Sequence, residues 1–494
     1  MSQININNLT FSYPGSPYNI FENVNLTFDT DWKIGFVGRN GRGKTTFLNL
    51  LLDKYEYSGK ISHNTHFDYF PYEIEDKNKS AIEILYEIHP DCELWEVLKK
   101  MNDLKLKEDC LYQAYSTLSN GEQTKLLLAV LFSKDNNFLL IDEPTNHLDM
   151  ESRDLICDFL NKQKGFLLVS HDRDFLDNTI DHVISINRSN IDIVKGNFSS
   201  WYQNKIDNDN LELQQNEKLK KEISRLEESA RNAKQWANKV EKTKNGVRVS
   251  GVKPDKGAIG HKSAKMMQRA KSIENRQTKA IDEKAKLLKN IEKSDSINIK
   301  HSDYVSDKAI IEFHDVSISY DNKVVARDIN FNIYPGERLA IIGKNGSGKS
   351  SIIKLILGES ISHAGYIFKN SRINISYVNQ ISSNIGGSID DYVISNNIDK
   401  TEFLTMLRKL GFEKIQFEKD ISSYSEGQKK KVLIATSLCK KAELYIWDEP
   451  LNYIDLLSRI QIEEMLINSN VTMIFVEHDK TFTNNIATKY LYLN

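Results

Sequence analysis

Two hydrophobic rhythms run along this chain. Toward both ends, short apolar runs alternate with longer stretches of helical periodicity. IGFV (34–37), NFLL (137–140) and FLLV (166–169) are apolar almost throughout, and LAII (339–342), YIW (445–447) and MIFV (473–476) echo them. Runs this short and continuous predict buried strands lying under helices, an α/β arrangement. The middle of the chain differs. Leu219, Ile223, Leu226, Ala230, Ala233, Ala237 and Val240 follow one another in steps of four and three, the spacing of a coiled-coil seam. Met266, Ala270, Ile273, Ala280, Leu287 and Ile291 form a returning seam that Gln277 and Lys284 interrupt. Between the two seams, Gly246, Gly251, Pro254, Gly257 and Gly260 break the pattern. The economical expectation is an antiparallel helical hairpin with an extended tip, in which a helix of about 40 residues reaches roughly 60 Å.

The chain also repeats itself. WKIGFVGRNGRGKTTFLNLL (32–51) returns as ERLAIIGKNGSGKSSIIKLI (337–356), and FLLVSHD (166–172) as MIFVEHD (473–479). This is one duplication, which divides the chain into 1–204, a linker at 205–303, and 304–494. The net charge of -2 predicts no polyanion partner for the chain as a whole. It hides an asymmetry, because residues 231–280 carry fourteen Lys/Arg against three Asp/Glu. A basic cluster on a long projection favours contact with nucleic-acid phosphate. From residue 237 to 303 there is no Phe, Tyr or Trp, so shape and phosphate recognition of folded RNA fit better than base stacking. The four cysteines are far apart, no signal peptide opens the chain, and no apolar run is long enough for a bilayer. Together these point to a reducing, cytoplasmic setting.

The repeated segments carry the chemistry. GRNGRGKT (Gly38–Thr45) and GKNGSGKS (Gly343–Ser350) both fit G-x-x-x-x-G-K-[ST], each after an apolar strand and before an amphipathic helix. Glycines let backbone amides curl around phosphate oxygens, and the helix N-terminus adds its dipole. Lys44 and Lys349 are expected at the β/γ-phosphates, and Thr45 and Ser350 on Mg2+. Gly38, Asn40, Gly41, Gly43 and Thr46 complete the first nucleotide-binding set; Gly343, Asn345, Gly346, Gly348 and Ser351 complete the second. IDEPTNHLD (141–149) and YIWDEPLNYID (445–455) each end a strand on paired carboxylates. Asp142 and Asp448 are expected to hold Mg2+, directly or through water. Glu143 and Glu449 are expected to orient or deprotonate the attacking water. His171 and His478, each closing a later strand, are expected to sense the γ-phosphate.

At LSNGEQ (118–123) the sequence resembles an ATP-binding cassette domain, with YSEGQ (424–428) as a less regular second signature. The resemblance implies two P-loop ATPase domains of α/β fold, joined by a long antiparallel α-helical hairpin and closing on ATP as an intramolecular sandwich. It places Ser425, Gly427 and Gln428 on the nucleotide of Lys44, and Ser119, Gly121 and Glu122 on that of Lys349. It makes Tyr13 (in FSYPG) and Tyr320 (in ISYDN) adenine-stacking residues, and Gln380 (in YVNQ) a sensor of water and Mg2+. The first half reads YFPYE there, putting Tyr72 where the family usually has glutamine. PTNHLD (144–149) resembles the ABC-F group, placing His147 and Asp149 near the interface; PLNYID (450–455) departs at Leu451, Tyr453 and Ile454. Linker length and N-terminal wording are similar to resistance proteins of the Lsa/Vga type, Lsa above all. That likeness implies a monomer without a stable membrane partner. It implies binding to the 70S ribosome at its exit site, near the 23S rRNA of the peptidyl-transferase centre and the P-site tRNA. There it would release lincosamides, pleuromutilins and streptogramin A compounds, with tip residues around Val247–Ile259. Three alternatives stay open: a housekeeping ABC-F translation factor, a transporter ATPase subunit and a DNA ATPase.

Overall fold

The computed structural model describes residues 2–16, 18–135, 137–146, 148–187, 190–242, 256–287, 308–320, 323–383 and 385–493. The first half runs β1 (Gln3–Phe11), β2 (Phe21–Asp29), β3 (Lys33–Val37), α1 (Lys44–Leu51), β4 (Ser58–Ser62), β5 (His66–Phe70), α2 (Ala81–Ile88), α3 (Leu94–Asp103) and α4 (Asn120–Leu131). It continues through β6 (Asn137–Asp142), α5 (Met150–Asn161), β7 (Phe166–Val169), α6 (Arg173–Thr179), β8 (His182–Ile186) and β9 (Ile191–Lys195). Two long helices follow, α7 (Phe198–Lys242) and α8 (Lys256–Leu287). The second half repeats the plan: β10 (Ile311–Tyr320), β11 (Lys323–Ile333), β12 (Arg338–Gly343), α9 (Lys349–Leu357), β13 (His363–Lys369), β14 (Ile375–Val378), α10 (Ile389–Ser395) and α11 (Lys400–Lys409). It ends with α12 (Glu426–Cys439), β15 (Leu444–Asp448), α13 (Leu456–Ile467), β16 (Met473–Val476), α14 (Lys480–Ile486) and β17 (Lys489–Leu493).

The apolar runs are the central strands. The first half has a six-stranded sheet in the order β5-β6-β7-β3-β8-β9, parallel except for β9; the second has β14-β15-β16-β12-β17, all parallel. Every residue of FLLV and of MIFV is buried, as a strand covered on both faces requires. A three-stranded antiparallel sheet, β2-β1-β4 or β11-β10-β13, packs on each central sheet. Phe11, Phe28, Phe36, Phe47 and Phe138 fill the space between the layers in the first half. Ile311, Phe313, Leu339, Ile353 and Ile474 do so in the second. A separate core under α10, α11 and α12 contains Phe403, Leu407, Trp447 and Phe475. The two α/β halves form one compact unit.

The long helices form a compact unit of their own. On α7, Leu219, Ile223, Leu226 and Ala230 are less exposed than their neighbours, and on α8 so are Met266, Ala270, Ile273, Gln277 and Ala280. The seam read from the sequence is therefore the packed face along this stretch. Gln277, which interrupts it, donates from Nε2 to Glu227 Oε1 at 3.0 Å, and Lys234 Nζ lies 3.8 Å from Glu274. A polar interruption is thus bridged across an antiparallel pair. Gly257 and Gly260 do not break the pattern, since α8 begins at Lys256 and contains both. Each costs about 1 kcal/mol relative to alanine, which a helix of this length absorbs. Residues 243–255 of the tip and residue 291 lie outside the described residues, as does residue 147 of the first half.

Candidate active sites

Each phosphate-type loop leaves a buried parallel strand and enters a helix. Gly41 and Gly43 have φ of 83° and 94°, and Gly346 and Gly348 have 82° and 92°. Only glycine adopts these values without strain. Gly43 and Gly348 also cap α1 and α9 with no side-chain hydrogen bond, which leaves the first-turn amides to an anion. Lys44 Nζ donates to the carbonyls of Gly38 (2.7 Å) and Arg39 (3.3 Å) and to Asn40 Oδ1 (3.4 Å). Lys349 Nζ donates to Gly343 O (2.7 Å) and Lys344 O (2.8 Å). Burial lowers the pKa of both amines, so each is a desolvated cation held at the mouth of an anion cradle.

The acids stand opposite. Asp142 ends β6 and Asp448 ends β15; Glu143 and Glu449 follow them with φ of 52° and 46°. A non-glycine residue at positive φ stores strain. Backbone bonds from Glu143 N to Val169 O (2.9 Å) and from Glu449 N to Val476 O (3.0 Å) hold both in place. Asp142 Oδ2 accepts from Thr45 Oγ1 (3.2 Å) and from Tyr69 Oη (3.0 Å). Burial raises its pKa, and Asp448, hydrogen-bonded to Ser350, is pushed up to about 6 for the same reason. Asp448 Oδ1 is buried with no hydrogen-bond partner. A carboxylate beside a hydroxyl at a phosphate cradle is the oxygen donor set that Mg2+ takes together with phosphate. Among the described residues no group of three His, Cys, Asp or Glu offers an all-protein metal site.

The two glutamates differ in state. Burial, with Asp142 beside it, pushes Glu143 up to about 8. His171 Nε2 lies 3.3 Å from Glu143 Oε1 but off the line of a hydrogen bond, leaving that buried oxygen without a donor. Burial, reinforced by Lys44 and Arg459, holds the His171 imidazole well below its usual pKa, hence neutral. Burial would raise Glu449 too. The His478 ring 3.7 Å away and hydrogen bonds from Gln380 and Asn452 (Nδ2 to Oε2, 2.7 Å) outweigh it and hold Glu449 at about 2.

The halves complete each other's sites. A cavity of about 1040 Å³ joins Tyr13, Asn40, Lys44, Asp142, Glu143 and His171 to Ser425, Gly427 and Tyr453 of the second half. Asn40 Nδ2 donates to Tyr453 O at 2.8 Å, and a Cβ on Gly427 would meet that carbonyl at 2.3 Å. A cavity of about 360 Å³ brings Asn345, Lys349, Ser350, Ser351, Gln380, Glu449 and His478 to Asn120 and Arg153 of the first half. Asn120, between Ser119 and Gly121, is the residue of its signature that lines this cavity. Glu122 and Gln428 close capping boxes with Ser119 and Ser425 at the starts of α4 and α12. Tyr13 Oη lies 2.9 Å from Thr46 Oγ1, and Tyr320 Oη donates to Ser351 Oγ at 3.1 Å.

Sequence reasoning missed a pair of arginines. Arg153 Nη1 donates to Asp172 Oδ2 (2.7 Å) and, across the halves, to the carbonyl of His478 (3.1 Å). Arg459 mirrors it toward Asp479 Oδ2 (3.4 Å). The repeat LDMESR/IDLLSR held the signal, since both halves place an arginine four residues after the terminal acid.

Residues 21–146 and 326–452, slightly more than half of the chain, match the ABC transporter family. The ATP-binding protein Uup of Buchnera aphidicola subsp. Acyrthosiphon pisum (strain APS) is 28% identical over 99% of this chain and 80% of its own. The ribosome protection protein VmlR of Bacillus subtilis (strain 168) is 27% identical over 98% and 85%. A solved complex of archaeal ribosomal stalk protein aP1 with the archaeal ribosome recycling factor aABCE1 shares the fold, with a TM-score of 0.63 and 17% identity over 98% of this chain and 87% of that one. Among the described residues no helix is long and apolar enough to cross a membrane. The chain belongs to the ABC transporter family and within it to the ABC-F ATPases, binding ATP with Mg2+ and hydrolysing it.

Proposed function

We propose that this ATPase is a cytoplasmic translation factor that works on the ribosome as a monomer, with no stable membrane partner. The observation that carries the reading is the cavity shared by Lys44, Glu143, Ser425 and Gly427: a nucleotide there touches both halves, so binding and hydrolysis change how the halves close. Lys44 and Lys349 bind the phosphates. Thr45, Asp142, Ser350, Asp448 and Gln380 would hold Mg2+, which would supply positive charge against the phosphate oxygens. Glu143 and Glu449 orient the attacking water, and His171 and His478 stand at the γ-phosphate. The basic stretch of 231–280 supplies the phosphate-binding surface for ribosomal RNA. VmlR and the complex of aABCE1 are both named for the ribosome, which favours that partner over a transporter or DNA.

The test is co-sedimentation of the E143Q/E449Q double variant with 70S ribosomes, with and without ATP. Pelleting only with ATP supports the reading. No pelleting, with ATP binding verified, overturns it. The likeness to VmlR favours a second, finer reading: an Lsa/Vga-type protein whose hairpin tip, at the exit site near the peptidyl-transferase centre and the P-site tRNA, displaces lincosamides, pleuromutilins and streptogramin A compounds. Expression in a susceptible host decides between them. Raised tolerance to these drugs supports protection, and unchanged tolerance leaves the translation factor.

A further inference from the structure

We propose that Lys430 is a positioning residue through which nucleotide held in the first site sets the hydrolytic loops of the second. It lies on α12, whose N-terminal Ser425 and Gly427 line the first cavity. Its side chain is fully buried and turns toward the other site. Nζ donates to the carbonyl of Asn379 at 2.8 Å and to that of Glu449 at 3.1 Å. Asn379 immediately precedes Gln380, and Gln380 hydrogen-bonds Glu449. One end of the helix therefore faces the first nucleotide. One turn further on, a single ammonium grips both loops that build the second site. A packed helix moves as a rigid piece, so a displacement of Ser425 is felt at both carbonyls.

Among the described residues the first half has no matching grip. Thr124 follows Ser119 by five residues as Lys430 follows Ser425. A threonine hydroxyl offers one short-armed donor in place of three on a four-carbon stem. Thr124 instead lines the part of the first cavity that extends toward Tyr115 and Leu127. The link thus runs in one direction. Binding energies at two coupled sites are reciprocal, but turnover is not bound by that reciprocity, and among the described residues only the second site has its water-handling loops held this way.

The inference rests on Glu449 acting on water, and the test separates the two. In an E143Q chain, where the second site alone turns over, phosphate release is measured for S425A, K430M and their combination. With Lys430 present, S425A is expected to slow release roughly tenfold; in the K430M chain it is expected to slow it less than about twofold. A merely structural lysine would lower the melting temperature and leave the S425A effect at its full size. Equal S425A effects in both backgrounds therefore overturn the link. Where K430M does not fold, K430Q takes its place in the same cycle with the same expectation. No release at all from the E143Q chain overturns the role of Glu449 and the link with it.

Discussion

The two nucleotide sites share a lysine, an Asp-Glu pair and a histidine, but the glutamate of one is pushed up to about 8 and that of the other is held at about 2. Burial is strong in both and cannot explain the difference. The neighbours can. Glu449 receives donors from Gln380 and Asn452, while Glu143 keeps a buried oxygen with no donor beside a second carboxylate. Motif identity fixes which atoms are present. Which groups reach each carboxylate fixes which of the two carries a proton.

The largest expected effect follows from that contrast. A protonated carboxyl cannot take a proton from water, so the second site carries most of the turnover at neutral pH. E449Q is expected to remove that share, lowering the second site's rate by roughly a hundredfold or more. E143Q is expected to leave more than half of the steady-state rate. Phosphate release at saturating ATP reads both, and equal losses would erase the distinction. The pH profiles sharpen it. Glu143 must lose a proton to act, so the E449Q chain gains rate as pH rises through about 8. Glu449 is already ionised, so the E143Q chain shows no such rise above neutral pH.

A second contrast lies at the acids that end PTNHLD and PLNYID. Both cap helices: Asp149 accepts from Ser152 N at 2.9 Å and Asp455 from Ser458 N at 3.0 Å. Asp455 is also wholly buried against Lys431 at 2.6 Å. Burial alone would raise its carboxyl; the charge and hydrogen bond of Lys431, with Lys44 and Arg39, outweigh it and hold it below the usual range. Asparagine keeps the cap at either position. D455N strands the Lys431 charge and is expected to cost about 3–5 kcal/mol, while D149N costs less than about 1 kcal/mol, both read from urea unfolding. A lowered carboxyl stabilises above the ordinary aspartate pKa, and that share is lost as pH falls through the lowered value. The gap between wild type and D455N is therefore full at neutral pH and closes only in strong acid.

Much of this was legible in the sequence. Glycines at positive φ, a lysine at a helix start and acids at strand ends are local demands of phosphate binding, and local demands leave local patterns. The heptad seam was legible because a helix face repeats. The state of Glu143 was not, since it depends on Asp142, Lys44 and Arg459 converging from separate segments. Nor was the contact of Asn40 with the Tyr453 carbonyl: a backbone atom at the far end of the chain carries no residue signature. Gly257 and Gly260 misled because a glycine costs a helix only about 1 kcal/mol relative to alanine, which a helix as long as α8 absorbs.

Tyr72 gives the smallest and most discriminating test. Strand register fixes its position: Tyr69 pairs with Leu140 as Tyr377 pairs with Ile446, each two residues before the aspartate. Three residues beyond each tyrosine come Tyr72 and Gln380, so they stand at matching sequence positions in the two halves. Tyrosine offers a hydroxyl where glutamine offers an amide donor. Y72Q in an E449Q chain is expected to supply the missing donor to Glu143. A hydrogen bond to a charged group contributes about 1.5–3 kcal/mol, and one pKa unit corresponds to about 1.4 kcal/mol. The rise of rate with pH should therefore move down by about one to two units, with a gain of about five- to tenfold at neutral pH. Y72F, which supplies no donor, should leave the midpoint in place. A midpoint unmoved by Y72Q would mean that Asp142 and burial alone set the state of Glu143, and the contrast between the sites would rest on Asn452 and His478 instead.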